Sequence, residues 1–129
     1  MENNKLKDSE IRGKIDIAFA RLIGTLAIMA ELDSYSNSHD DIKDLLRTVT
    51  KWGAKFQSTQ NLSFIDSDTI LNTYNRMDAL KDKYLFDKDL GLESELSDEI
   101  VIWIYEIMEL RKIQIERNLK KWVVKTMIK

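Results

Sequence analysis

The amino-acid sequence predicts an all-α fold: one domain like a four-helix bundle, with a long C-terminal helix. The 129 residues contain no proline and only four glycines, so little interrupts a helix. Apolar residues recur at spacings of three and four along four stretches, as on one face of a helix. With 43% apolar and 33% charged residues, the chain can form one core. We therefore expect one helical domain over residues 1–129, with residues 1–8 flexible.

The first helix is predicted over residues 10–32, after Asp8 or Ser9 as the capping residue. Its apolar face carries Ile11, Ile15, Phe19, Leu22, Leu26 and Met29. Residues 17–30 are apolar on nearly every side, which favours a central helix or one covered by a second subunit. The same helix has a stripe of small residues that would let another helix approach closely, Ala20, Gly24 and Ala27.

The second helix is predicted over residues 39–57 and the third over 66–85. A Ser-x-x-Asp capping box at residues 38–41 follows a polar loop and opens the second helix. The third is capped by the same pattern at residues 63–66 or by Asp66 alone. The apolar faces are Ile42, Leu45, Leu46, Val49, Trp52 and Phe56, then Ile70, Tyr74, Met77, Leu80 and Tyr84.

The fourth helix is predicted over residues 98–127, with Ser97 as its N-cap, after a connection at 86–96. Some thirty residues would reach about 45 Å, beyond the helices available to cover them. Its predicted apolar face is Val101, Ile104, Met108, Ile115, Leu119 and Trp122. From all four stripes we predict a core that includes Phe19, Trp52, Ile104 and Met108.

Charge is distributed unevenly although the whole chain carries a formal net charge of only −2. Residues 78–109 hold ten carboxylates against three lysines, a net of −7. Residues 111–129 hold seven basic residues against one glutamate, a net of +6. The candidate basic patch is Arg117, Lys120, Lys121, Trp122 and Lys125.

This basic patch admits three interpretations. Cations beside an aromatic ring can bind phosphate backbones or anionic surfaces. Alternatively, the cations complement the negative end of the helix dipole while the apolar residues among them pack. In the third, the acidic segment of one subunit meets the basic end of another.

The residues that most enzyme chemistries need are missing from the chain. It has no cysteine, which excludes disulfides, thiolate metal sites and cysteine nucleophiles and favours a reducing compartment. His39 is the single histidine, and the glycines are too isolated to form a phosphate-binding loop. Nor does a serine lie in a Gly-x-Ser-x-Gly elbow. We predict no catalytic residue, cofactor or metal.

Carboxylate pairs three residues apart are the remaining candidates for a metal site: Asp41 with Asp44, Glu95 with Asp98, and Glu106 with Glu109. All-α nucleotide pyrophosphohydrolases place Glu-x-x-Glu and then Glu-x-x-Asp on neighbouring helices to hold magnesium. Here the order is reversed, and solvated faces explain the pairs more simply.

Our leading hypothesis is a small non-enzymatic helical interaction protein of the cytoplasm that self-associates and acts as adaptor, scaffold or regulator of a partner protein. A dimer through the first or the fourth helix is expected, because apolar surface exceeds what one bundle can bury. The first alternative is a nucleic-acid-binding accessory protein using the basic patch. A magnesium-dependent pyrophosphohydrolase-like enzyme is the second. No secretory signal or membrane span is expected, since residues 17–30 are shorter than the roughly 20 a bilayer needs and contain Arg21.

Overall fold

The computed structural model describes residues 5–32, 39–85 and 91–128, and the predicted all-α fold is confirmed there, without a strand. The four helices are α1 (Asp8–Leu32), α2 (His39–Thr59), α3 (Ser67–Leu85) and α4 (Gly91–Ile128). Residues 1–4 and the predicted loop at 33–38, including the capping residue Ser38, lie outside the described residues.

The start of α1 lies slightly earlier than predicted. Ile11 donates its backbone N–H to the carbonyl of Lys7, and the Lys7 N–H donates to the Glu10 carboxylate at 3.3 Å. Lys7 is therefore the capping residue, while Asp8 and Ser9 lie in the first turn. Just before the helix, Leu6 packs partly against the core.

Asp66 caps α3, as one of the two predicted alternatives requires. Its carboxylate accepts the backbone N–H of Thr69 at 2.7 Å. This bond is the main reason that the pKa of Asp66 lies below its usual value. At the preceding helix end, Gln60 has a φ of 58° and donates its N–H to the Phe56 carbonyl, which closes α2 in the left-handed conformation.

The helices alternate in direction, so that each runs antiparallel to the next. α1 packs against α2 and α4, and α3 packs against α4. Gln57 near the end of α2 donates to Asp16 near the start of α1, and Arg117 near the end of α4 reaches Asp8. This up-down-up-down arrangement places α4 between two partners along most of its length.

Two of the four residues named for the predicted core are buried, and two are not. Phe19 and Ile104 are buried, as expected. Trp52 and Met108 are only half-buried and pack against the edge of the core, which corrects the prediction. Trp52 lies at the margin of its predicted face, and an indole of that size is rarely covered completely. Met108 lies at the centre of its predicted face, but that face is rotated away from the buried side of α4.

The beginning and the buried face of α4 both differ from the prediction. The helix begins at Gly91, and Ser97 is a fully buried helical residue instead of a cap. The buried face centres on Ile107, roughly a quarter turn from the predicted stripe at 100° per residue. Two polar residues, Arg111 and Gln114, belong to that buried face, so a search for apolar stripes misses its position.

Candidate interaction surface

Buried polar side chains on α4 bind the backbone that connects α2 to α3. Arg111 donates from Nε to the Ile65 carbonyl at 2.8 Å and from a terminal nitrogen to the Ser67 hydroxyl at 3.3 Å. Three residues later, Gln114 accepts the N–H of Leu62 at 2.8 Å and donates to a second backbone carbonyl. These bonds satisfy the backbone between α2 and α3, because buried polar groups need partners.

One turn further along α4, Arg117 and Lys121 form the last ion pairs between this helix and the described bundle, both with Asp8. Its carboxylate accepts from Arg117 at 2.7 Å and from Lys121 at 3.4 Å. The hydrogen bond from Arg117 is the largest cause of the lowered pKa of Asp8. Since Asp8 is the first residue of α1, the part of α4 beyond Lys121 extends past the helix that it packs against.

Large apolar side chains cover this extending end of α4. We call the group the α4 tip: Leu119, Trp122, Val123, Val124 and Met127. Their exposed fractions range from 44% to 79%, and Trp122 is 65% exposed. The tip residues therefore lie outside the core that the described helices form.

The basic residues around the α4 tip point to two sides of the helix. Arg117, Lys121 and Lys125 follow one another at spacings of four and share a side, on which Asp8 binds the first two. Lys120 lies on another side, about a third of a turn away. Lys120, Lys121 and Lys125 are all exposed, as is Trp122. The predicted patch is thus exposed and spread over several sides of α4, and Asp8 partly neutralises it.

The small-residue stripe of α1 lies on a side that the rest of the described chain leaves open. Ala20 and Gly24 are exposed, and Ala27 is half-buried. A Cβ atom added to Gly24 would meet no other atom within 4 Å. The neighbouring Ile17 and Ile28 are exposed as well. The fold therefore leaves this stripe accessible to another helix.

The carboxylate pairs do not converge on a metal site within the described part of the chain. Asp41 and Asp44 both accept hydrogen bonds from Arg76, chiefly Asp41, and these bonds raise the pKa of that guanidinium. Glu109 pairs with Lys112 at 3.4 Å. No group of three or more His, Asp or Glu residues that could hold a cation occurs among the residues described.

None of the helices in the described part of the chain is long and apolar enough to cross a bilayer. Comparisons of the chain with protein-family models, curated proteins and solved structures find no match. Evidence for function therefore comes from the surfaces of the molecule itself.

Proposed function

We propose that this chain is a small non-enzymatic helical protein of the cytoplasm that self-associates as a dimer and acts as adaptor, scaffold or regulator of a partner protein. The observation that carries the proposal is the α4 tip, where five large apolar side chains are exposed within nine residues. Monomeric proteins rarely leave so many large apolar side chains exposed close together in water. Association with a second chain would remove them from solvent.

Light scattering across a concentration series tests self-association directly. We expect a dimer mass at about 100 μM and moderate salt, with dissociation on dilution. Replacing Trp122 and Val123 together by serine should yield a monomer, because it removes apolar area from the tip. Leu71→Ser is the matched control, since Leu71 is a comparably exposed apolar residue on α3. A monomer mass for the parent protein at every concentration would refute the proposal.

Two further variants separate the helices that could form the dimer. Gly24→Leu fits the isolated bundle, because Gly24 is exposed and a Cβ atom added there meets nothing within 4 Å beyond its own helix backbone. It should weaken association only if the α1 stripe is the contact. Lys120→Glu combined with Lys121→Glu should weaken association only if the end of α4 is the contact. Circular dichroism on each variant checks that the fold is retained.

A second candidate function is nucleic-acid binding, which the exposure of Trp122 among Lys120, Lys121 and Lys125 favours. An exposed indole can stack on a base while the ammonium groups bind phosphates. Fluorescence anisotropy with labelled single-stranded and duplex DNA should then give an affinity that falls steeply with salt. The Lys120→Glu and Lys121→Glu double variant should lose binding. Absence of binding at low salt would exclude this function.

A further inference from the structure

The outward side of α4, opposite its buried face, has a regular sequence of its own. Its residues recur at alternating spacings of four and three, the spacing of the contact positions in a coiled coil. We call this line the α4 seam: Asp98, Ile102, Tyr105, Glu109, Lys112, Glu116, Leu119 and Val123. It is about 38 Å long at 1.5 Å per residue.

The apolar members of the α4 seam lie towards both of its ends. Ile102 and Tyr105 are 59% and 53% exposed in the first half, and Leu119 and Val123 are exposed in the second. Glu109 and Lys112 occupy the middle, and their side chains remain accessible while forming an ion pair. A partner with apolar ends and a charged centre would complement this line.

Charge along α4 defines that partner more closely. Glu95, Asp98 and Glu99 are exposed near the start of the seam, whereas Lys120 and Lys125 are exposed near its end. The helix is thus acidic at one end and basic at the other, and a second copy in the opposite direction has the complementary order. A copy in the same direction would place like charges together, and their repulsion disfavours that pairing.

We propose that two copies of the chain pair through the α4 seam in antiparallel orientation, with Glu109 opposite Lys112 of the partner subunit. This inference rests on the proposed self-association and assigns it to one surface. A two-fold axis between residues 110 and 111 repeats the ion pair, so that two such pairs form at the centre. The same register places Ile102 opposite Leu119 of the partner subunit, on both sides of the axis.

This register suits the residues of the seam better than the two registers that are shifted by one heptad. Moving one helix by a heptad in one direction would bring Asp98 against Glu116 of the partner subunit. Moving it by a heptad in the other direction would place Glu109 against Leu119 of the partner subunit. The chosen register avoids both contacts and moves the acidic–apolar pair to the two ends of the seam, where Asp98 lies opposite Val123 of the partner subunit. It also places part of the α4 tip at the contact, because Leu119 and Val123 belong to both surfaces. The stripe on α1, in contrast, contains no charge that would select a partner or a direction.

Charge reversal tests both the surface and the orientation. Glu109→Lys alone places two cations opposite each other at each central pair, and Lys112→Glu alone places two carboxylates there. We expect each variant to raise the dissociation constant of the dimer about tenfold or more. Mixing the two variants should restore a mixed dimer, because every central pair is then between opposite charges. The intrahelical pairs are unchanged by mixing, so recovery reports contact between chains.

Light scattering gives the mass of each sample, and native mass spectrometry identifies which chains are in the dimer. If the parent is a monomer, self-association and this interface both fail. If the parent and both variants are equally dimeric, and mixing produces no preference for the mixed pair, self-association stands and the α4 seam is refuted.

Cysteine crosslinking gives an independent measure of the register, because the chain contains no native cysteine. Ile102→Cys mixed with Leu119→Cys should form a disulfide between chains in a glutathione redox buffer. Ile102→Cys mixed with Ile17→Cys is the control, since Ile17 is a similarly exposed isoleucine on α1. Equal crosslinking in the two mixtures, or none in the first, would overturn the proposed register.

Discussion

Replacing Phe19 by alanine measures how far the packing between α1 and α2 stabilises the fold. Phe19 is 4% exposed, and its ring lies 6.1 Å from that of Phe56 across the two helices. Truncating a buried phenylalanine typically costs about 3–5 kcal/mol through lost transfer energy and the cavity that remains. The free energy of unfolding of a domain is only about 5–15 kcal/mol. Phe19→Ala should therefore remove a large share of it.

Ile17→Ala is the matched control, because Ile17 lies two residues away on the same helix and is 56% exposed. We expect a change within about 0.5 kcal/mol for the isolated bundle. Urea unfolding followed by circular dichroism at 222 nm, at low protein concentration, gives both values. Equal losses for Phe19→Ala and Ile17→Ala would refute the orientation of α1. A loss for Ile17→Ala that appears only at high concentration would instead indicate that α1 contributes to the dimer contact.

Three further changes test local features of the bundle. Gly53→Ala should raise stability by about 0.5–1 kcal/mol in urea unfolding, because alanine favours a helix and its Cβ would meet Ile23 at an ordinary 3.4 Å. Gln114→Leu should lower stability by about 1–3 kcal/mol in the same assay, since the buried N–H of Leu62 loses its acceptor. The lowered pKa of Asp66 means that its ionised form stabilises the fold above its usual pKa of 3.8, and this contribution is lost as pH falls through the lower folded value. Asp66→Asn retains a capping oxygen without that titration, so its stability should vary less between about pH 4 and pH 2 in acid unfolding curves.

The sequence predicts the helices well wherever the buried face is almost entirely apolar. On α1, all six residues of the predicted stripe are buried, from Ile11 to Met29. The stripe of α2 is likewise buried at four positions, and only Leu46 and Trp52 lie at its margin. Periodicity is a good guide here because nearly every inward position is apolar, Thr25 on α1 being the buried polar exception.

The same reasoning fails on α4 for a physical reason. The buried face of this helix includes the polar residues Arg111 and Gln114, which interrupt its apolar periodicity. Both bind backbone atoms of the connection between α2 and α3, a demand that arises only when the helices are assembled. Local composition also hides the first turns of α4, because Gly91 and the acidic residues after it suggest a connection. The basic patch was identifiable from residue types alone, but the exposure of Trp122 was not.

The length of α4 links the fold to its proposed association. Beyond Lys121 no residue of the described bundle covers the helix, and helix ends without packing partners fray. Packing against a second chain would supply the stabilisation that the bundle does not provide. Hydrogen exchange should therefore be slow at residues 122–128 in the concentrated parent protein and fast in the Glu109→Lys variant, while the N–H groups of Ile104 and Ile107 remain protected in both. Equal protection of residues 122–128 in the parent and in a variant proven to be monomeric would mean that the end of α4 is stable by itself. Dimer formation would then not be needed to stabilise this end of the helix.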